Sequence, residues 1–235
     1  MLTILDYGAG NVTSMALAFA RLGVPARVVR TADEAADAGR VVFPGVGSAA
    51  ACMKEIRARG FDRTIVNAHD RGTPTLAVCI GLQLLFDSSE EDGGVSALGF
   101  WPGQARRFTF PAVPGQMAPK VPHMGWNRVH RIASHPVWPD NSSGSEEEAY
   151  YFVHSYHVVP GWFAGGGVMS AETQIRDVTP APRVYGATEY GGQVFASAAG
   201  AGSFFAVQFH PERSGAAGLA LLARFAAWDG RLPCS

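Results

Sequence analysis

The chain has 235 residues, 47% of them hydrophobic and 17% charged, with a formal net charge of −1. That apolar content excludes a disordered chain, and 28 glycines without a three-residue period exclude a collagen-like one. Near-neutral charge argues against a generic binder of nucleic acid or anionic membranes.

Leu2–Asp6 reads as a short buried strand. A turn at Tyr7-Gly8-Ala9-Gly10 follows, and Asn11 is expected to cap a helix over Val12–Leu22 that Gly23 closes. Ala26–Arg30 is strand-like, and Thr31-Ala32-Asp33-Glu34 has the spacing of a capping box opening a short helix. Val41–Phe43 is a third strand and runs into Pro44-Gly45-Val46-Gly47. Helices are expected over Ala49–Arg59 and Asp62–His69, then a strand at Thr75–Val78 and a helix over Ile80–Phe86. Strands alternating with helices at this spacing imply a parallel sheet covered on both faces.

After Asp87 the breakers multiply. Ala105–Phe110, Arg128–Ile132, Tyr150–His154, Val184–Glu189, Gln193–Ala198 and Phe204–His210 read as strands. Asn141–Glu148 reads as an acidic solvent loop, and Gly215–Trp228 as a closing amphipathic helix. Without a repeat or a long linker, residues 1–235 are read as one α/β domain. Its central sheet is mostly parallel with helices on both faces, and antiparallel strands occupy the second half. No apolar run reaches the roughly 18–20 residues of a membrane helix, and the N-terminus does not read as a signal peptide. The three cysteines, Cys52, Cys79 and Cys234, fit neither a disulfide framework nor a zinc site. A reducing cytoplasm is therefore the expected compartment, with no metal and no cofactor.

Cys79 stands between an apolar strand and a helix, with the small residues Ala77 and Gly81 two positions to either side. A sharp strand-to-helix turn that presents a nucleophile needs such neighbours. The helix start offers unpaired N–H groups and a partial positive charge, both of which favour a thiolate, and the Ile80 N–H can serve an oxyanion. A buried structural cysteine fits the same place. A nucleophilic thiol needs a base and an orienting group. His210 closes an apolar run and Glu212 follows two residues later, so a Cys79–His210–Glu212 triad is available; His-Pro-Glu by itself reads equally well as a surface turn.

Together the elbow, the Phe209-His210-Pro211-Glu212 string and the Pro44–Gly47 loop resemble the class I (triad) glutamine amidotransferases. The strings Asp6–Asn11, Lys120–Asn127, Tyr151–Tyr156 and Val207–Ser214 narrow the resemblance to the glutaminase subunits of imidazole glycerol phosphate synthase. The resemblance implies that Cys79 attacks the side-chain amide of L-glutamine, forming a thioester, while His210 moves the protons and Glu212 orients it. Gly45, Gly47 and Ile80 are implied to form the oxyanion site. Gln83, Glu91, His154, Ser155 and Tyr156 are implied to hold the substrate, Glu91 at its α-amino group. It also implies a heterodimer with a (β/α)8-barrel cyclase subunit, which uses the ammonia to make imidazole glycerol phosphate and AICAR in histidine biosynthesis. Asn11, Trp126 and Arg213 are the expected interface residues, although a core tryptophan is an alternative for Trp126. Two positions depart from the family's usual pattern: Ala77 replaces a Gly and Arg213 a Lys. The main alternative is a glutaminase subunit that serves another acceptor.

Overall fold

A computed structural model describes residues 1–8, 11–112, 115, 117–138, 147–160 and 182–233. The expectations for Ala9 and Gly10, for the loop at 141–146 and for Cys234 lie outside the described residues.

The first half alternates strand and helix. Its strands are β1 (Leu2–Leu5), β2 (Ala26–Val29), β3 (Arg40–Phe43) and β4 (Thr75–Val78). Its helices are α1 (Val12–Arg21), α2 (Ala49–Ala58), α3 (Phe61–Asp70) and the short α4 (Ile80–Leu84). The second half is mostly strand: β5 (Phe86–Ser89), β6 (Val95–Ser96), β7 (Trp101–Arg107), β8 (His123–Arg131), β9 (Glu147–His154), β10 (Tyr156–Pro160), β11 (Arg183–Tyr190), β12 (Gln193–Ala201) and β13 (Phe204–Val207). Helix α5 (Gly215–Ala227) follows.

The large sheet has nine strands in the order β2-β1-β3-β4-β13-β12-β11-β8-β9. Strands β2 to β13 in that order run parallel, and the remaining four continue antiparallel. A second sheet orders β10-β7-β5-β6. Alternation along the central strands splits the core into two layers. Leu2, Ile4, Val42, Leu76, Val78, Phe205 and Val207 pack with Met15 and Phe19 of α1 and Leu221, Leu222 and Phe225 of α5. Their neighbours Leu5, Val41, Phe43, Ala77, Phe204 and Ala206 pack with Met53 and Ile56 of α2 and Phe61 and Ile65 of α3. This is the pleat of a sheet buried on both faces. No helix among the described residues is long and apolar enough to cross a membrane.

Several local expectations need correction. Asn11 does not cap α1: its backbone is left-handed at φ 87° and its side chain makes no capping bond. A capping side chain needs an extended backbone. The helix at Ile80 stops at Leu84, because Phe86 pairs with Trp101 in the second sheet and packs edge-on against its ring. Thr31–Glu34 opens only a 3₁₀ turn at Asp33–Ala35. There Glu34 N–H reaches Thr31 Oγ1 at 3.4 Å, and the Glu34 carboxylate takes the Arg30 N–H instead of the residue-31 amide. The expected strand at Ala105–Phe110 starts earlier, at Trp101, and ends at Arg107; the Phe108 N–H leaves the ladder for the Ser155 carbonyl. The strand expected at Arg128 starts at His123, where it faces His154 of β9. Glu147 and Glu148 are strand rather than loop, since they pair with His130 and Val129. Strand β13 ends at Val207, three residues before His210. Its parallel neighbour β4 ends one residue before Cys79, where the chain turns away.

Gly218 of α5 faces the 3₁₀ turn Pro211–Arg213, and a Cβ there would lie 1.9 Å from the Pro211 carbonyl oxygen. Gly218→Ala is expected to destabilise the fold by about 1–3 kcal/mol, the usual cost of overpacking, and to shift the turn that carries Glu212. A lowered denaturant midpoint with unchanged slope would register the loss.

Candidate active site

Cys79 adopts φ 55° and ψ −108°, a conformation that L side chains rarely take. Such backbone costs about 1–3 kcal/mol and persists where the surroundings impose it. Here the Cys79 N–H donates to the Val207 carbonyl at 2.8 Å, which ties the end of β4 to the end of β13. Small neighbours make the turn possible. A Cβ at Gly81 would lie 2.4 Å from the Phe43 carbonyl oxygen. Ala77, in place of the usual Gly, is accommodated in the buried core of β4.

His210 reaches the same place from β13. Its N–H donates to the Tyr151 carbonyl at 2.9 Å, and its Nδ1–H donates to Glu212 Oε1 at 2.9 Å. The His210 and Glu212 side chains are 1% and 0% exposed, so the pair is dry. Asn11 donates its amide N–H to the same Glu212 oxygen, which explains why it leaves the helix uncapped. With Nδ1–H committed to Glu212, Nε2 is the atom open to exchange a proton; it has no aligned hydrogen-bond partner among the described residues. Burial alone would lower the His210 pKa, but the Cys79 sulfur in its thiolate form and the carboxylate of Glu212 outweigh it and raise it to about 10. Cys52, the other described cysteine, is pushed up to about 12, chiefly by burial. A thiol so placed stays protonated and unreactive.

A pocket opens beside the Cys79 thiol. Its lining includes Gly47, Ile80, Gln83, Glu91, His154, Ser155 and Tyr156, with Val46, Pro122 and Val153 completing the wall. Every residue expected from the sequence to hold a substrate lines this pocket except Gly45. Gly45 lies behind it: a Cβ there would sit 2.1 Å from Tyr7 Oη and 2.3 Å from Ile80 Cγ2, so only glycine fits. Tyr7, which the sequence reading passed over, donates its hydroxyl proton to the Pro44 carbonyl and anchors the loop. Glu91 accepts the Ala49 N–H at 2.7 Å, and burial raises its pKa. A cationic ligand would relieve that penalty. Gln83 directs both Nε2 hydrogens inward, to the Tyr156 carbonyl at 2.9 Å and to Gln208 Oε1 at 3.0 Å. Its Oε1 is the amide atom left for a ligand.

Behind the pocket wall, imidazoles form a one-way chain. His154 Nδ1–H must donate to the Tyr156 carbonyl (2.7 Å), so its Nε2 accepts from His123 Nδ1–H (3.0 Å), and His123 Nε2 accepts from Asn127 Nδ2–H (3.2 Å). Burial pushes these rings toward the neutral form, His154 to about 3 and His123 to about 4. Sequence reasoning used Trp126 from this motif and missed His123 and Asn127.

The three expected interface residues meet at the surface beside the triad. Trp126 is 59% exposed, which excludes the core alternative. It lies opposite Tyr151 in the β8–β9 register and edge-on to its ring, at 6.3 Å. The Arg213 guanidinium stacks 4.4 Å over the same ring. Asn11 joins this patch through Glu212, the residue before Arg213.

A family model described as glutamine amidotransferase class-I matches residues 3–227. The chain belongs to the class-I glutamine amidotransferase family. The imidazole glycerol phosphate synthase subunit HisH of Pseudomonas syringae pv. syringae is 42% identical to this amidotransferase over 230 residues, covering 97% of each chain. The HisH subunit of Thiobacillus denitrificans is 42% identical over 233 residues, covering 97% of this chain and 91% of its own. Among solved structures, one described as a glutamine amidotransferase superposes with a TM-score of 0.64 at 16% identity, covering 97% of this chain and 100% of that one. The glutaminase domain of Trypanosoma brucei CTPS, with bound acivicin, superposes with a TM-score of 0.56 at 15% identity, covering 100% and 98%. At those identities the structures speak for the amidotransferase fold alone.

The titrations carry a stability consequence. His135 is buried, stacks on Phe205 and accepts the Val137 N–H through Nδ1 at 3.1 Å; burial lowers its pKa to about 3. The unfolded chain therefore binds a proton near the ordinary value of 6.5 that the folded chain refuses. The stability this imidazole allows is lost as pH falls from about 6.5 toward 3. His135→Asn keeps an acceptor for Val137 without the titration. Its deficit against the unsubstituted protein is expected to shrink as pH drops from 7 to about 5. A deficit that stays constant in chemical denaturation would contradict a neutral buried imidazole. His210 has the opposite sign: its favoured imidazolium contributes in full below about 6.5, and that contribution is lost as pH rises through about 10.

Proposed function

We propose that the protein hydrolyses L-glutamine to glutamate and ammonia through Cys79, His210 and Glu212, and passes the ammonia to a cyclase subunit that makes imidazole glycerol phosphate and AICAR. The observation that carries the reading is the convergence of residues from five separate chain segments on one pocket beside the Cys79 thiol. Relatives at 42% identity over 97% of the chain are named as subunits of imidazole glycerol phosphate synthase, which supports the acceptor pathway.

With its proton already resting on His210 Nε2, the Cys79 sulfur attacks as a thiolate and forms a bond to the amide carbon of glutamine. The tetrahedral oxyanion takes N–H groups from Ile80 and the backbone around Gly47. When the C–N bond breaks, the imidazolium gives its proton to the departing nitrogen and ammonia leaves a thioester behind. Water then attacks the thioester carbon while His210 takes its proton. The second tetrahedral species collapses, releasing glutamate and restoring the thiolate, with the proton left on His210. Glu212 holds Nδ1–H throughout, so Nε2 is always the exchanging atom. Glu91 pairs with the α-ammonium of the substrate, and Gln83, His154, Ser155 and Tyr156 line its path.

The partner is a (β/α)8-barrel that docks on the surface formed by Asn11, Trp126 and Arg213. The arrangement around Tyr151 supports this, since an exposed tryptophan and a stacked arginine are characteristic interface anchors.

A glutamine-mimicking diazo-ketone is expected to label Cys79 and to spare Cys52, as read by peptide mass spectrometry; labelling at Cys52 would refute the triad. In the reconstituted complex, Cys79→Ala is expected to abolish glutamine-dependent turnover and to retain turnover with added ammonium salt. Loss of both activities would refute the division of labour between subunits.

A further inference from the structure

Gln208 is a polar residue, 0% exposed, inside the apolar run Phe204–Phe209 and two residues from His210. Its Nε2 lies 3.5 Å from Cys79 Sγ. Its Oε1 accepts from Gln83 Nε2 at 3.0 Å, and Gln83 donates its second hydrogen to the Tyr156 carbonyl at 2.9 Å. The direction of this chain is not free. A backbone carbonyl can only accept, so the nitrogen of Gln83 must face Tyr156, and the same nitrogen meets the oxygen of Gln208. The amide of Gln208 is thereby turned to present N–H to the sulfur. The Tyr156 carbonyl is itself held by His154 Nδ1–H at 2.7 Å.

We infer that Gln208 is a further catalytic residue, an amide donor to the Cys79 sulfur, and that the Tyr156 carbonyl fixes its orientation through Gln83. The inference rests on the reading of Cys79 as the nucleophile. A donor to sulfur stabilises the thiolate and leaves the thiol indifferent, so it favours the attacking form. The other contact of the sulfur has the opposite effect: the Val153 carbonyl, 3.8 Å away, accepts from S–H and favours the thiol. Gln208 is thus the neutral group that tips this local balance toward thiolate. The titratable groups that act on Cys79 are His210, from the segment after β13, Tyr7, from the turn after β1, and Cys52, from α2. Tyr7 and Cys52 are both held neutral by burial. Glu212 acts on His210 rather than on the sulfur.

The test follows the alkylation rate of Cys79 by iodoacetamide across pH, in the full chain, with modification located by mass spectrometry and folding checked by circular dichroism. Gln208→Leu removes the donor and is expected to raise the midpoint of thiolate formation by about one pH unit, slowing alkylation about tenfold below it. An unshifted midpoint in folded Gln208→Leu overturns the inference. If the leucine variant does not fold, the near-isosteric Gln208→Glu decides: it places a carboxylate against the sulfur, so a larger upward shift is expected and an unshifted midpoint overturns the inference. Gln83→Leu frees the Gln208 amide to turn, and its midpoint is expected to rise too; a midpoint equal to that of the unsubstituted protein overturns the orienting role. Cys79→Ala, run alongside in the reconstituted complex, separates the two levels. Retained glutamine hydrolysis there would refute the nucleophile assignment, whereas lost hydrolysis with an unshifted Gln208 midpoint refutes the donor alone.

Discussion

A single backbone hydrogen bond, from the Cys79 amide to the Val207 carbonyl, joins the ends of two parallel strands, and the site depends on it. It holds the residue after β4 in left-handed backbone, so that the thiol leaves the sheet plane at the carboxyl ends of the strands. In an open α/β sheet this edge is where ligands gather, because helices cover both faces. Beyond Val207 the Gln208 N–H stays with β12 through the Ser197 carbonyl, and the His210 N–H then crosses to the Tyr151 carbonyl. Strain at Cys79 and the placement of His210 meet at one junction.

The parallel half of the fold is written plainly in the sequence. Leu2–Leu5, Val41–Phe43 and Thr75–Val78 are short apolar runs bounded by turns, and their alternate residues divide between two helical layers. The elbow was equally legible, since Ala77, Cys79 and Gly81 set a spacing with a mechanical reason. The second half was harder. Its strands shift register at bulges, as β11 does against β12 around Gly186, and period alone does not say where a ladder starts. Glu147 and Glu148 read as solvent loop because their charge is local, while their pairing with β8 is not. Asn11 misled for a related reason: a helix cap is a local solution, whereas its amide serves a carboxylate 201 residues away.

What sequence reasoning could not reach was the polar wiring behind the pocket. His123 and His154 are buried among aromatic rings and Gln208 is fully buried, where each unpaired polar atom would be costly. Their hydrogen bonds run in fixed directions because each chain ends on a backbone carbonyl. Neutral imidazoles suit this use: burial suppresses their charge, leaving one donor and one acceptor per ring. A polar residue inside an apolar run, as in Phe204–Phe209, is the sequence signal that could have drawn attention to Gln208.

Tyr151 gives the surface patch a meaning of its own. Its ring carries Arg213 and faces Trp126, its amide N–H donates to the Ser214 hydroxyl oxygen, and its carbonyl receives the His210 N–H. The outside of the molecule and the imidazole are thus separated by the width of one residue. One residue therefore contributes both to the exposed aromatic surface and to the backbone position of the base.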